Sequence, residues 1–197
     1  KALETLRRLP DDPRLRKREP DGLAEIQALR PRGPRRLGPP PQRGEYRDRL
    51  AGALVGRMAG CTLGAPVEFW SIERMKALAD ENKEPFPPVH YWRRVPDPRS
   101  LRYETSPREA YTRGKMKGVP VDDDIIYTLL GLLIVEEFGP EFTTADVGRA
   151  WVKYLPLACT AEEVALRNLK AGLPWNRAGE VDNPYCEWIG AAIRADP

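Results

Sequence analysis

The chain has 197 residues, with 32 basic against 29 acidic side chains and 41% hydrophobic residues. That composition is enough for one sizeable core and excludes a disordered chain, while a formal net charge of +3 is too diluted for a nucleic-acid-binding footprint. Three widely spaced cysteines without a CxxC pair, and His90 as the single histidine, exclude a disulfide framework, a zinc site of the usual kind and a Ser-His-Asp triad. The thiols are expected to be buried and reduced, and acid–base chemistry is left to carboxylates.

Residues 1–44 are rich in Pro and Arg, with short patches such as Asp21-Gly22-Leu23-Ala24-Glu25-Ile26. Pro39-Pro40-Pro41 is a stiff spacer that cannot be helical. The basic residues alternate with Asp and Glu, so this stretch reads as a solvated arm with one or two helical turns. Residues 46–65 read as a helix carrying Gly52, Gly56, Gly60 and Gly64. Each glycine costs about 1 kcal/mol relative to Ala inside a helix. Four-residue spacing gathers them into a stripe, and the expectation is a close backbone contact there. Arg47, Arg49 and Arg57 argue against a lipid-facing helix, so the contact is expected within a helical core. Pro66 ends the helix and Glu68 follows on the turn.

Ser71-Ile72-Glu73-Arg74 is a helix start, with an amphipathic run to about Asn82. Residues 83–120 form a second Pro-rich basic tract with Tyr91, Trp92, Tyr103 and Tyr111. This tract reads as a long functional loop whose aromatics are able to stack on bases or on a single adenine. After Gly139-Pro140, Thr143-Thr144-Ala145-Asp146 starts a helix to about Leu155. Thr160-Ala161-Glu162-Glu163 caps another to about Ala171, and Asn183-Pro184 leads into the last stretch. No alternating strand pattern or repeat is present, so the expected class is all-α. The longest apolar run, residues 125–135, is too short to cross a bilayer. No N-terminal hydrophobic signal is seen, and a soluble cytoplasmic protein without a membrane partner is expected.

The chain is organised around Asp122-Asp123-Asp124, which opens an apolar segment, residues 122–138. A helix of roughly 17 residues there is about 25 Å long and, being apolar on every face, belongs in the core. A helix dipole stabilises one carboxylate in the first turn by about 0.3–1 kcal/mol. The other two repel it, and water or a cation must offset that cost. For the triplet alone, over-capping is the simpler reading, with metal binding as the alternative.

Three motifs together resemble one family. Gly52-x3-Gly56-x3-Gly60-x3-Gly64-Ala65-Pro66-Val67-Glu68 is similar to the first signature of the ADP-ribosylglycohydrolases. Asp122-Asp123-Asp124 with Tyr127-Thr128 resembles their first metal motif, and Gly190-Ala191-Ala192-Ile193-Arg194 their diphosphate-holding loop. The resemblance covers about residues 45–197. It implies a compact all-α domain, cut short at its C-terminus, with residues 1–44 as an N-terminal arm.

The resemblance further implies a hydrolase with one or two Mg2+ ions, or Mn2+, that releases ADP-ribose from an ADP-ribosylated protein, nucleic acid or small molecule. By position, Asp122, Asp123 and Asp124 are the metal ligands, and Glu68 and Asp123 the catalytic residues. Gly190, Ala191 and Arg194 would hold the diphosphate. Breaking a glycosidic bond through an oxocarbenium-like state suits such carboxylates, and magnesium takes oxygen ligands.

Asp122 stands where the family usually has Thr or Ser, and Ile189 where it usually has Asn. The second metal motif is absent from the chain. A non-catalytic ADP-ribose or nucleotide-binding module with an incomplete metal site is therefore the alternative function, and a direct nucleic-acid contact is not expected.

Overall fold

The computed structural model describes residues 4–5, 8–10, 12–34, 38–95, 101–102 and 106–195. Two compact units divide the chain, Lys1–Glu45 and Tyr46–Pro197. In the first, α1 (Pro13–Arg18) and α2 (Leu23–Ala28) are short helices that bury no residue. Asp12 caps α1 by accepting from the Arg14 N–H at 2.8 Å, with proline in the first turn, where its missing N–H is not needed.

Elsewhere the chain is helical, and the fold is all-α as expected. α3 (Arg43–Gly64) passes into a short 3-10 helix, Ala65–Val67, whose residues are all buried. α4 (Ile72–Asn82) is capped by Ser71, whose hydroxyl accepts from the Arg74 N–H. α5 (Asp123–Phe138) is the apolar helix behind the Asp triplet. α6 (Thr144–Tyr154) begins with a reciprocal capping box between Thr143 and Asp146. α7 (Thr160–Lys170) follows, and a 3-10 helix, Ile189–Arg194, ends the described chain. β1 (Leu101–Arg102) and β2 (Ser106–Pro107) pair antiparallel over two residues each, too little to change the class.

Two apolar clusters form the core of the second unit. One joins α5, α6 and α7 through Tyr127, Leu130, Ile134, Ala150, Trp151, Leu155 and Leu166. Ala150 is fully buried, and its small side chain lets α6 lie close to its neighbours. The second cluster, Val67, Leu78, Ala79, Trp92 and Val95, holds α4 under the end of α3.

This second cluster corrects the reading of residues 83–120 as a loop apart from the core. Trp92 and Tyr111 are each only 1% exposed. Burying such rings stabilises more than a stacking surface in solvent would allow. Trp92 Nε1 donates to the Leu63 carbonyl at 3.2 Å and Tyr111 donates to the Val121 carbonyl at 2.7 Å. Trp92 and Tyr111 are therefore struts. Tyr103 lies outside the described residues.

The glycine stripe also differs from expectation. A Cβ placed at Gly52, Gly56, Gly60 or Gly64 meets nothing within 4 Å. No backbone packs on the stripe among the described residues. Instead Gly56, Gly60 and Gly64 form part of one wall of a groove of about 1220 Å³, with Leu129, Leu132 and Val135 of α5 among the residues lining it. Arg43–Val67 is also long and apolar enough to cross a membrane by length and composition. Arg57 in its middle, however, donates to protein carbonyls on α5 and on the last 3-10 helix.

Candidate active site

One end of the groove is polar. Cys61 and Gly64 from α3, Glu68 from the turn beyond it, Asp124 from the first turn of α5, and Ala192 and Ile193 line the same cavity. Pro66 and the 3-10 turn that follows α3 bring Glu68 there. Arg108 Nη1 donates to the Pro66 carbonyl at 2.9 Å and braces that turn from the former loop tract. Arg57 and Cys61 are four residues apart, so they share a helix face. Arg57 Nη1 donates to the carbonyls of Asp124 and Ile193, both at 3.2 Å. A single guanidinium thus joins α3, the start of α5 and the final 3-10 helix.

Asp122 occupies the N-cap position of α5, yet its side chain makes no capping hydrogen bond. It is 1% exposed. The capping explanation of the triplet therefore fails at the residue best placed to cap. Donor atoms of Cys61, Asp122 and Asp124 instead all lie within 4.8 Å of one another. Asp123 is not in that group; its Oδ1 accepts from the Asp124 N–H at 3.1 Å. Of the three expected metal ligands, the structure brings together Asp122 and Asp124, adds Cys61, and leaves Asp123 aside.

Burial raises the Asp124 carboxyl above its ordinary pKa, and the charge of Asp123 adds to the rise. Arg57 and a hydrogen bond with Asp122 oppose this, and Glu68 pushes it up again. Negative charge is thus crowded and partly desolvated, a situation a cation relieves. The donor set fits one divalent ion.

The expected diphosphate loop is the 3-10 helix Ile189–Arg194. Arg194 pairs with the buried carboxylate of Glu162 on α7. Its guanidinium also lies 5.5 Å from the Tyr127 ring centre and 5.2 Å from that of Trp151. A Cβ at Gly190 would meet the Glu162 carboxylate, so a larger residue there requires that side chain to shift. The anion seated beside Gly190 and Arg194 in the structure is thus the protein's own. Tyr127 sits in the same cluster, its hydroxyl buried and accepting or donating no hydrogen bond among the described residues. Burial, with Glu162 nearby, drives that hydroxyl well above its ordinary pKa.

Sequence reasoning passed over Cys61, Arg57 and Glu162. An isolated cysteine carries no spacing signal, but an arginine and a cysteine four apart on a glycine-striped helix mark one polar face. Glu162 was visible only as an acidic residue in a helix's first turn.

The described residues form an all-α domain with a carboxylate-rich pocket at helix starts. The ADP-ribosylglycohydrolase family model matches residues 42–197, and the chain belongs to the ADP-ribosylglycohydrolase family. That membership carries an ADP-ribosylglycohydrolase-type activity in general and ADP-ribosylated substrates in general. Comparison with curated proteins and with solved structures finds no match.

Proposed function

We propose that the polar end of the groove is the active site of a metal-dependent hydrolase that cleaves the glycosidic bond of an ADP-ribosylated substrate and releases ADP-ribose. The observation that carries this reading is the convergence of Glu68 and Asp124 on one cavity, with Asp122 and Cys61 beside them. Asp122 and Asp124 would hold the ion, magnesium or manganese on the family's pattern. A divalent ion, when bound, offsets the carboxylate charge and acidifies a coordinated water. Glu68, outside the donor group, would accept the proton of the attacking water at its carboxylate.

The apolar walls, including Leu54, Leu129 and Leu132, suit the flat face of an adenine. Ala192 and Ile193 border the same cavity. We therefore assign the diphosphate to the neighbouring Gly190, Ala191 and Arg194, where it would replace Glu162 as the partner of Arg194.

The test is release of ADP-ribose from ADP-ribosylated protein by the whole protein, with and without a divalent ion. Glu68→Gln is expected to lower turnover at least about 100-fold, the scale of one general base, while ADP-ribose binding measured by calorimetry persists. Asp124→Asn should remove the dependence on the ion. Binding without turnover would favour the alternative, a non-catalytic ADP-ribose-binding module. One observation supports it: Asp123, expected as a metal ligand, stands outside the donor group.

A further inference from the structure

We propose that Cys61 is itself a metal donor, and that its thiolate makes the site favour a borderline divalent ion such as Co2+ or Zn2+ over Mg2+. The proposal rests on the metal reading of the site given above and adds the ligand that sets ion choice.

Three observations carry it. The Cys61 sulfur and carboxylate oxygens of Asp122 and Asp124 lie within 4.8 Å of one another. Cys61 lines the cavity and forms no disulfide. Asp122 is 1% exposed and is not spent on capping α5, so a buried carboxylate already stands beside that sulfur. Glu68 lines the same cavity but is not part of the three-donor group.

The chemistry follows from donor softness. Magnesium holds oxygen ligands and several waters and gains little from sulfur. Thiolate binds zinc and similar borderline ions well. On binding, the sulfur–metal bond forms as the thiol proton leaves to solvent, with no change of oxidation state. Two carboxylates and one thiolate then set three negative charges against the two positive charges of the ion. Arg57, which bonds the Asp124 carbonyl, stands close enough to offset part of the excess. The usual sequence signals for zinc, paired cysteines and histidines, do not apply to such a site.

The experiment titrates the whole protein with Co2+ while recording near-ultraviolet absorption, where a cobalt–thiolate bond gives a charge-transfer band that carboxylates do not. Calorimetry gives Co2+ and Mg2+ affinities in parallel. The band is expected in the wild type and in the Cys159→Ser/Cys186→Ser double variant, and is expected to vanish in Cys61→Ser. In Cys61→Ser the Co2+ affinity should fall more than about 100-fold, beyond what the loss of an outer-shell partner typically costs, while the Mg2+ affinity stays within experimental error. Co2+ bound without the band, or a band that survives Cys61→Ser, overturns the assignment of Cys61 and leaves the carboxylate site standing. Failure of the wild type to bind either ion overturns both.

Discussion

Asp146 shows how a single side chain sets a helix start. Its carboxylate accepts from the Thr143 N–H at 2.7 Å and from the Thr143 hydroxyl at 2.6 Å, and it pairs with Arg149. The Thr143 hydroxyl first, then the Thr143 N–H, hold its pKa below the ordinary aspartate value. A lowered folded-state pKa means that its stabilisation is present above the unfolded value of about 3.9 and is lost as pH falls through the folded value. Wild type is therefore expected to melt above Asp146→Asn at neutral pH, with the two curves converging in acid. A constant gap down to the most acid pH would remove the carboxylate from that role. This start was legible in the sequence, since Thr and Asp three apart are a local signature. Asp122 was not: an N-cap position says nothing about where its side chain points, and the partners that decide it, Cys61 and Asp124, come from two different helices.

Helices differ in how much of their environment their own sequence declares. α5 was legible to within a residue, because a carboxylate triplet followed by an apolar run leaves few alternatives. α3 was legible as a helix, but what faced its glycines was not. Glycine spacing reports that a surface is smooth, and the partner of a smooth surface is not written in it. Since a Cβ at Gly56 or Gly60 meets nothing within 4 Å, Gly56→Ala and Gly60→Ala are each expected to stabilise the fold by about 0.5–1 kcal/mol in urea unfolding. A loss of stability instead would show another segment closing on that face.

The final 3-10 helix behaves oppositely. One of its attachments is an ion pair with the Glu162 side chain 6% exposed, so Arg194→Met leaves a buried charge alone and should cost about 3–5 kcal/mol. Adding Glu162→Gln should recover part of that loss. Equal losses in the single and double variants would show that the stranded Glu162 charge is not the source of the cost.

Across the whole second unit, the tract between α4 and α5 is the scaffold of the pocket. Trp92 fastens the end of α3, Arg108 the turn before Glu68, and Tyr111 the residue before Asp122. Composition alone pointed the other way, because proline and arginine mark irregular backbone and irregular backbone is usually exposed. Irregular and buried are compatible when aromatic rings supply the core and their polar edges supply the hydrogen bonds. Tyr111→Phe tests this: it should cost about 1 kcal/mol in stability and also weaken divalent-ion affinity, measured by calorimetry, although Tyr111 is not itself a proposed ligand. Unchanged affinity would separate the strut from the pocket.

Arg57 has a consequence for the position of α3 along its own axis. A helix face made of glycine has no knobs, so nothing on it resists a slide along the groove. One turn of slip moves a side chain by about 5.4 Å, which would carry Arg57 beyond both carbonyls it now bridges at 3.2 Å. Trp92 grips the same helix at Leu63. Arg57 and Leu63 therefore act like two marks on a vernier, and Cys61 lies between them. The spacing of its sulfur from Asp122 and Asp124 is set by this alignment, through two residues that contribute no donor atom of their own.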